Sequence, residues 1–117
     1  MPSPFLPDGY TRETLIGAAD GHPEVWIAWR PMLAEERRRL NRQTVRLSAR
    51  GRSGQEAAAG LVASAVASRL VEWDVSDGAG RPIEISSAAV MELHPALFER
   101  ICSTVTTFDD EETTAKN

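Results

Sequence analysis

The sequence predicts a mainly α-helical α+β domain, in which an N-terminal β-hairpin is followed by three to four helices. Two observations support this fold class. An Asp20-Gly21 pair lies between two short apolar runs, an arrangement typical of a hairpin. Farther along, apolar residues recur at steps of three and four through residues 57–101, as they do on one face of a helix.

Length and composition indicate one globular domain. The chain has 117 residues, of which 42% are hydrophobic and 26% charged, so a core can form without disulfides. The single Cys102 has no intramolecular partner, and no apolar run approaches the roughly 20 residues of a membrane helix. We therefore expect a cytoplasmic protein with a globular domain over residues 11–108. A proline-containing flexible arm is expected at 1–10, and a disordered acidic tail at 109–117.

The first two strands are expected on either side of the Asp20-Gly21 pair. His22 and Pro23 are predicted to lengthen the loop beyond the tight two-residue form. One alternative stays open, which is a short helix that Thr11 caps and that ends at Gly21.

The second of these strands has the sequence VWIAW, which fixes the faces of its side chains. Because successive residues of a strand point to opposite sides, Val25, Ile27 and Trp29 share one face. Trp26 and Ala28 are then expected on the other face.

A basic helix is predicted next, over residues 33–49, after Pro31 ends the strand. One side of this helix is predicted to carry Leu33, Leu40, Thr44 and Leu47. Arginines repeat at four-residue steps along the opposite side, namely Arg38, Arg42, Arg46 and Arg50. We expect this arginine stripe to face water or a partner.

The central helix is predicted to begin near Gln55 and to end in Trp73, whose ring closes an apolar stripe and anchors whatever packs next. A glycine-containing turn follows, and Pro82 prevents the helix from continuing. The alternation in residues 83–85 predicts a short extended segment that adds to the edge of the hairpin.

Two further helical segments are predicted near the end of the chain. Ser86 or Ser87 is expected to cap a helix that runs through Leu93. The residue before a proline avoids the α region, so His94 should mark a break and Pro95 a restart. The last helix has an apolar side made of Leu97, Phe98, Ile101, Cys102, Val105 and Phe108.

The residues that could carry chemistry do not form a recognisable motif. His22 and His94 each precede a proline, and neither belongs to a set with metal-ligand spacing, so turn or cap roles are predicted. Cys102 lies on an apolar helix side, where a thiol behaves as a small hydrophobe. The glycines form neither a dinucleotide-binding nor a Walker pattern. We therefore predict no catalysis, no metal and no cofactor.

The arginine stripe could contact phosphates along a nucleic acid. However, no recognition fold or stacking aromatic accompanies it in the sequence, and Glu35 can pair with Arg38 or Arg39 at helical spacing. A solvated face is the simpler interpretation, and a protein partner with an acidic or amphipathic helix is an equally physical target.

Four stretches together resemble the small tail assembly chaperones of long-tailed bacteriophages and Mu-like prophages. They are DGYTRETLIGAADGHPEVWIAWRPM, LAEERRRL, RLVEWDVSDGAGRPIEI and LHPALFERI, which span residues 8–101. The resemblance implies a non-enzymatic assembly factor that keeps the helices of the tape-measure protein soluble and passes it to tail-tube subunits. It also implies a homo-oligomer in the bacterial cytoplasm.

A chaperone of that kind needs reversible apolar contacts ringed by charge. The residues predicted to supply them are Trp26, Trp29, Arg38, Arg42, Arg46 and Trp73. Two other functions stay open from the sequence: a structural head-tail or minor virion protein, which would be found in purified particles, and an arginine-rich nucleic-acid-binding module.

Overall fold

The structure is a computed structural model that describes residues 10–106. Its elements in chain order are β1 (Arg12–Ile16), β2 (Val25–Trp29), α1 (Ala34–Ser48), α2 (Arg52–Arg69), β3 (Leu70–Trp73), α3 (Ser87–Met91) and α4 (Pro95–Thr106). A three-stranded antiparallel sheet packed with helices confirms the predicted α+β, mainly helical fold class. The predicted acidic tail, Phe108 on the apolar side of the last helix and all of the predicted N-terminal arm except Tyr10 lie outside the described residues.

The hairpin of β1 and β2 is confirmed, but its turn is tighter than predicted. Ala19 and His22 exchange backbone hydrogen bonds of 2.9 and 3.2 Å across Asp20 and Gly21. These two turn residues have φ of 51° and 91°, which Asp tolerates and Gly adopts freely. The longer loop is therefore a wrong prediction, and the chain does not adopt the alternative helix at this position.

The third strand of the sheet lies where the sequence predicted helix. The central helix α2 ends at Arg69 instead of Trp73, and β3 pairs antiparallel with β2, with Trp73 opposite Ile27. Pairing with β2 supplies the backbone of β3 with hydrogen bonds, and the burial of both Leu70 and Trp73 favours it further.

The extended segment around Ile83 does not join the sheet edge, contrary to the prediction. It stays beside the chain that leaves β3, where Ser76 and Pro82 form an isolated bridge. The backbone N–H of Ile83 donates to the carbonyl of Val75 at 3.0 Å. The position beside β2 is occupied by β3, so β2 offers no free edge to this segment.

The core lies between one face of the sheet and the helices α2, α3 and α4. As predicted, Val25, Ile27 and Trp29 share the inner face of β2 and are buried. The helices contribute the remaining buried side chains Ala63, Val66, Val90, Leu97, Ile101, Cys102 and Val105.

The predicted caps near the chain end are confirmed, but the helix that was expected to run through Leu93 ends at Met91. The Ser86 side chain accepts a 3.0 Å hydrogen bond from the backbone N–H of Ala89 and starts α3. His94 accepts through Nδ1 from the backbone N–H of Ala96 at 3.2 Å and caps α4. None of the helices within residues 10–106 has the length and the apolar composition that a membrane span requires.

The helices α1 and α2 form a helical hairpin with a close crossing near its turn. Gly54 is buried in the first turn of α2, and a Cβ there would overlap the carbonyl oxygen of Leu47 in α1. Only glycine lets the two backbones approach this closely. The observed start of α2 at Arg52, instead of near Gln55, places Gly54 inside the helix at this crossing.

Candidate functional site

The outer face of α1 is the candidate functional site, because it carries the strongest concentration of charge among the described residues. Arg38, Arg42 and Arg46 are exposed on it, one helical turn apart, whereas Arg50, the fourth predicted member, is exposed beyond the end of α1. The arginine stripe of the structure therefore consists of the first three residues. Within residues 10–106, none of these three guanidinium groups forms an ion pair. The arginine stripe therefore faces outward, as the helical period predicts.

The acidic residues at the start of α1 are oriented differently. Glu36 forms a half-buried ion pair with Arg69 of α2 and also accepts a 3.0 Å hydrogen bond from the backbone N–H of Leu33. Glu35 lies 3.9 Å from Arg39, with both side chains well exposed, so that pair contributes little. The carboxylates thus fix or flank the helix start and do not neutralise the stripe.

An apolar side chain lies among these arginines. Val45 is 63% exposed, and it follows Arg38 by seven residues and Arg42 by three, which are neighbouring positions on a helix surface. The outer face of α1 is therefore basic and carries an exposed apolar side chain beside the arginines.

Helix α1 is also held loosely against the rest of the fold. None of its 15 residues is buried. Leu40 and Leu47 face α2 as predicted, whereas Leu33 precedes α1 and is 52% exposed. The two leucines remain half-buried, because the opposing face of α2 offers mainly small residues beside Leu61 and Val62. Short side chains on α2 do not fill the space beside the leucines.

Two grooves result from this thin packing. The larger, of about 600 Å³, has α1 as one wall and Val62 of α2 and Thr106 of α4 as the other, with Arg37 and Arg38 at its rim. The smaller, of about 300 Å³, lies on the other side of Leu40 and contains Leu61 and Arg69. Each groove has an apolar part and a cationic part.

Two of the three tryptophans predicted to bind a partner belong to the core. Trp29 is 1% exposed, and its Nε1 donates to the Thr14 hydroxyl at 3.0 Å. Trp73 is 8% exposed and donates from Nε1 to the carbonyl of Ile83 at 2.6 Å. Both rings are part of the hydrophobic core and expose almost no surface to a partner. This corrects the partner-binding role predicted for them.

Trp26 is the one tryptophan of the three that stays partly exposed. It lies on the sheet face opposite Trp29, and its Nε1 donates to Glu13 Oε1 at 3.1 Å. The structure thus gathers the three arginines on one helix face and places Trp26 on a different element. It remains a separate candidate for partner contact.

The two histidines come together in a way that the sequence did not predict. Their rings are 6.1 Å apart, because the hairpin turn that carries His22 packs beside the start of α4. The Nδ1 of His22 donates to the Pro23 carbonyl at 2.8 Å, and its Nε2 accepts from Arg100 at 3.2 Å. A pocket of about 410 Å³ lies beside them, with Trp73 and Leu97 among its walls.

These histidines have structural partners, as predicted for turn and cap residues. Each forms its bonds with backbone groups or with Arg100, and no set of three potential metal ligands occurs among residues 10–106. The sequence contains no pattern that predicts this proximity, because 71 residues lie between the two histidines and their distance depends on the tertiary fold.

Cys102 is buried in the core, as its position on the apolar side of α4 predicts. Burial, with the nearby negative charge of Glu99, raises the pKa of its thiol to about 11. The thiolate fraction at neutral pH is therefore very small, and the side chain acts as a packing group.

Comparison of the chain with protein families, curated proteins and solved structures gave no match.

Proposed function

We propose that this chain is a non-catalytic phage tail assembly chaperone that binds the tape-measure protein, acts in the bacterial cytoplasm and self-associates. The observation that supports binding most strongly is helix α1 itself. A helix of 15 residues with no buried residue, flanked by two grooves, has room for a further helix beside it.

The charge and the apolar side chains of this surface indicate which kind of partner would fit it. Val45 offers apolar contact on this surface, while Arg38, Arg42 and Arg46, which form no ion pair within residues 10–106, offer charge. A long amphipathic helix with carboxylates beside its apolar stripe complements both. Exposed charge pairs add modest affinity and speed association, which suits a partner that must later be released.

Co-expression with the tape-measure protein of the same gene cluster tests this function. We expect that protein to become soluble with the wild-type chain, and a triple Arg38→Ala, Arg42→Ala, Arg46→Ala variant to bind it roughly 10-fold more weakly. The matched control replaces the same three residues by lysine, which keeps the charge. A tape-measure protein that is equally insoluble with and without this chain would contradict the proposal.

Nucleic acid is the second candidate partner, favoured by the same three guanidinium groups, which have no ion pair in the described part of the chain. Duplex DNA titrated into the protein at increasing salt concentrations distinguishes the two. Affinity that falls steeply with salt and disappears in the alanine triple variant would favour DNA, and no binding at low salt would remove it.

A further inference from the structure

Helix α4 ends against the basic side of α1. Thr106 lines the larger groove together with Arg37 and Arg38. The Nη1 of Arg37 donates to the carbonyl oxygen of Thr106 at 3.5 Å, close to the negative end of the α4 dipole. The chain therefore leaves its last described residue at the mouth of a cationic groove.

The sequence beyond Thr106 is strongly acidic. Asp109, Asp110, Glu111 and Glu112 are consecutive, and they begin three residues after Thr106. An extended chain spans about 3.5 Å per residue, so these carboxylates can reach roughly 10 to 20 Å from Thr106. Arg38 and Arg46 are eight residues apart in α1, which corresponds to about 12 Å along the helix.

Charge and tether length together identify an occupant for this face. Four carboxylates lie within reach of three guanidinium groups that have no ion pair among the described residues. A short tether also gives such a segment an effective concentration on the order of millimolar. We propose that the acidic segment at 109–112 binds the arginine stripe of its own chain and competes there with partners.

The contact is weak enough to be displaced. Each exposed charge pair contributes only about 0.2–1 kcal/mol, and it is screened by salt. A partner that also makes apolar contacts at Val45 and in the grooves gains binding free energy that the acidic segment cannot obtain, because the segment has no apolar side chain to bury there. The segment then covers the arginine stripe until such a partner arrives, and this last step alone rests on the proposed function.

Backbone amide chemical shifts of the full chain test the contact directly. The variant Asp109→Asn, Asp110→Asn, Glu111→Gln, Glu112→Gln removes the four charges. Its matched control, Asp20→Asn, Glu24→Gln, Glu84→Gln, Glu99→Gln, removes four exposed carboxylates elsewhere. We expect the first variant to shift the amides around Arg38, Arg42 and Arg46, and the control to leave them unchanged.

A competition measurement gives the magnitude. A fluorescein-labelled peptide of ten glutamates should bind the segment variant roughly 3- to 10-fold more tightly than wild type at low salt. The control variant should gain much less affinity for the peptide, because its substitutions reduce only the general charge repulsion between protein and peptide. High salt should remove the difference.

The outcomes separate the intramolecular contact from its alternatives. Shifts on α1 that do not depend on protein concentration, together with the gain in peptide affinity, support the proposal. Absence of shifts on α1, equal effects of both variants, or shifts that appear only as concentration rises would overturn it, the last by showing contact between copies. Neither measurement contains the tape-measure protein, so the result stands apart from the fate of the proposed function.

Discussion

Helices α1 and α4 are both amphipathic, yet they are buried to very different depths. Of the 12 residues of α4, Leu97, Ile101, Cys102 and Val105 are buried, and none of the 15 residues of α1 is. The difference comes from what each helix meets. α4 packs into the main core with α2 and the sheet, whereas α1 packs mainly on one face of α2, with one hydrogen bond from Arg37 to Thr106 at the end of α4. An apolar stripe thus indicates which side of a helix faces the rest of the protein. How much of that side is buried depends on the surface that it packs against.

The largest expected effect is a difference in the free energy of unfolding between truncations in α4 and in α1. Ile101→Ala removes a side chain that is 0% exposed, so it should lower the free energy of unfolding by about 2–5 kcal/mol. Leu40→Ala in α1 removes a half-buried side chain and should cost only about 1 kcal/mol. Urea unfolding of both variants measures the difference, and equal losses would show that α1 belongs to the main core.

The next effect tests the close crossing within the helical hairpin. Gly54→Ala places a Cβ against the Leu47 carbonyl and should destabilise by about 1–3 kcal/mol, although alanine is the better helix former. Gly60→Ala is the matched control in the same helix, since a Cβ there meets nothing within 4 Å. The control should stabilise by up to about 1 kcal/mol. Thermal melting that shows stabilisation by both changes would place α1 farther from α2 than described.

The smallest expected change in stability concerns the arginine stripe. Arg38, Arg42 and Arg46 are exposed without ion pairs among the described residues, so each change to alanine should stay within about 0.5 kcal/mol. Urea unfolding of the triple variant checks this. A large loss would mean that these side chains support the fold, and they would then be poor candidates for a separate binding role.

Local patterns in the sequence predicted the features that depend on local geometry. The hairpin follows from Asp20-Gly21, the caps from Ser86 and His94, and the arginine stripe from the helical period. Each is decided by residues that are close in the chain, so the sequence contains the needed information.

The features that the sequence did not predict depend on distant partners. The apolar residues of Leu70–Trp73 continue the helical spacing of α2. This stretch is a strand because it pairs with the available edge of β2, which the sequence does not reveal. The same holds for the tryptophans, because a partner surface and a core both favour large rings. Burial of Trp29 and Trp73 becomes visible only when the sheet and helices are assembled.

Hydrogen exchange measured with and without the proposed partner, the tape-measure protein, tests the central proposal, which is that the outer face of α1 is the binding surface. In the free chain, amides of α1 should exchange faster than those of α4, because α1 is less deeply packed. Addition of the tape-measure protein should slow exchange in α1 and around the adjoining grooves. Protection that appears elsewhere while α1 stays unchanged would contradict the account.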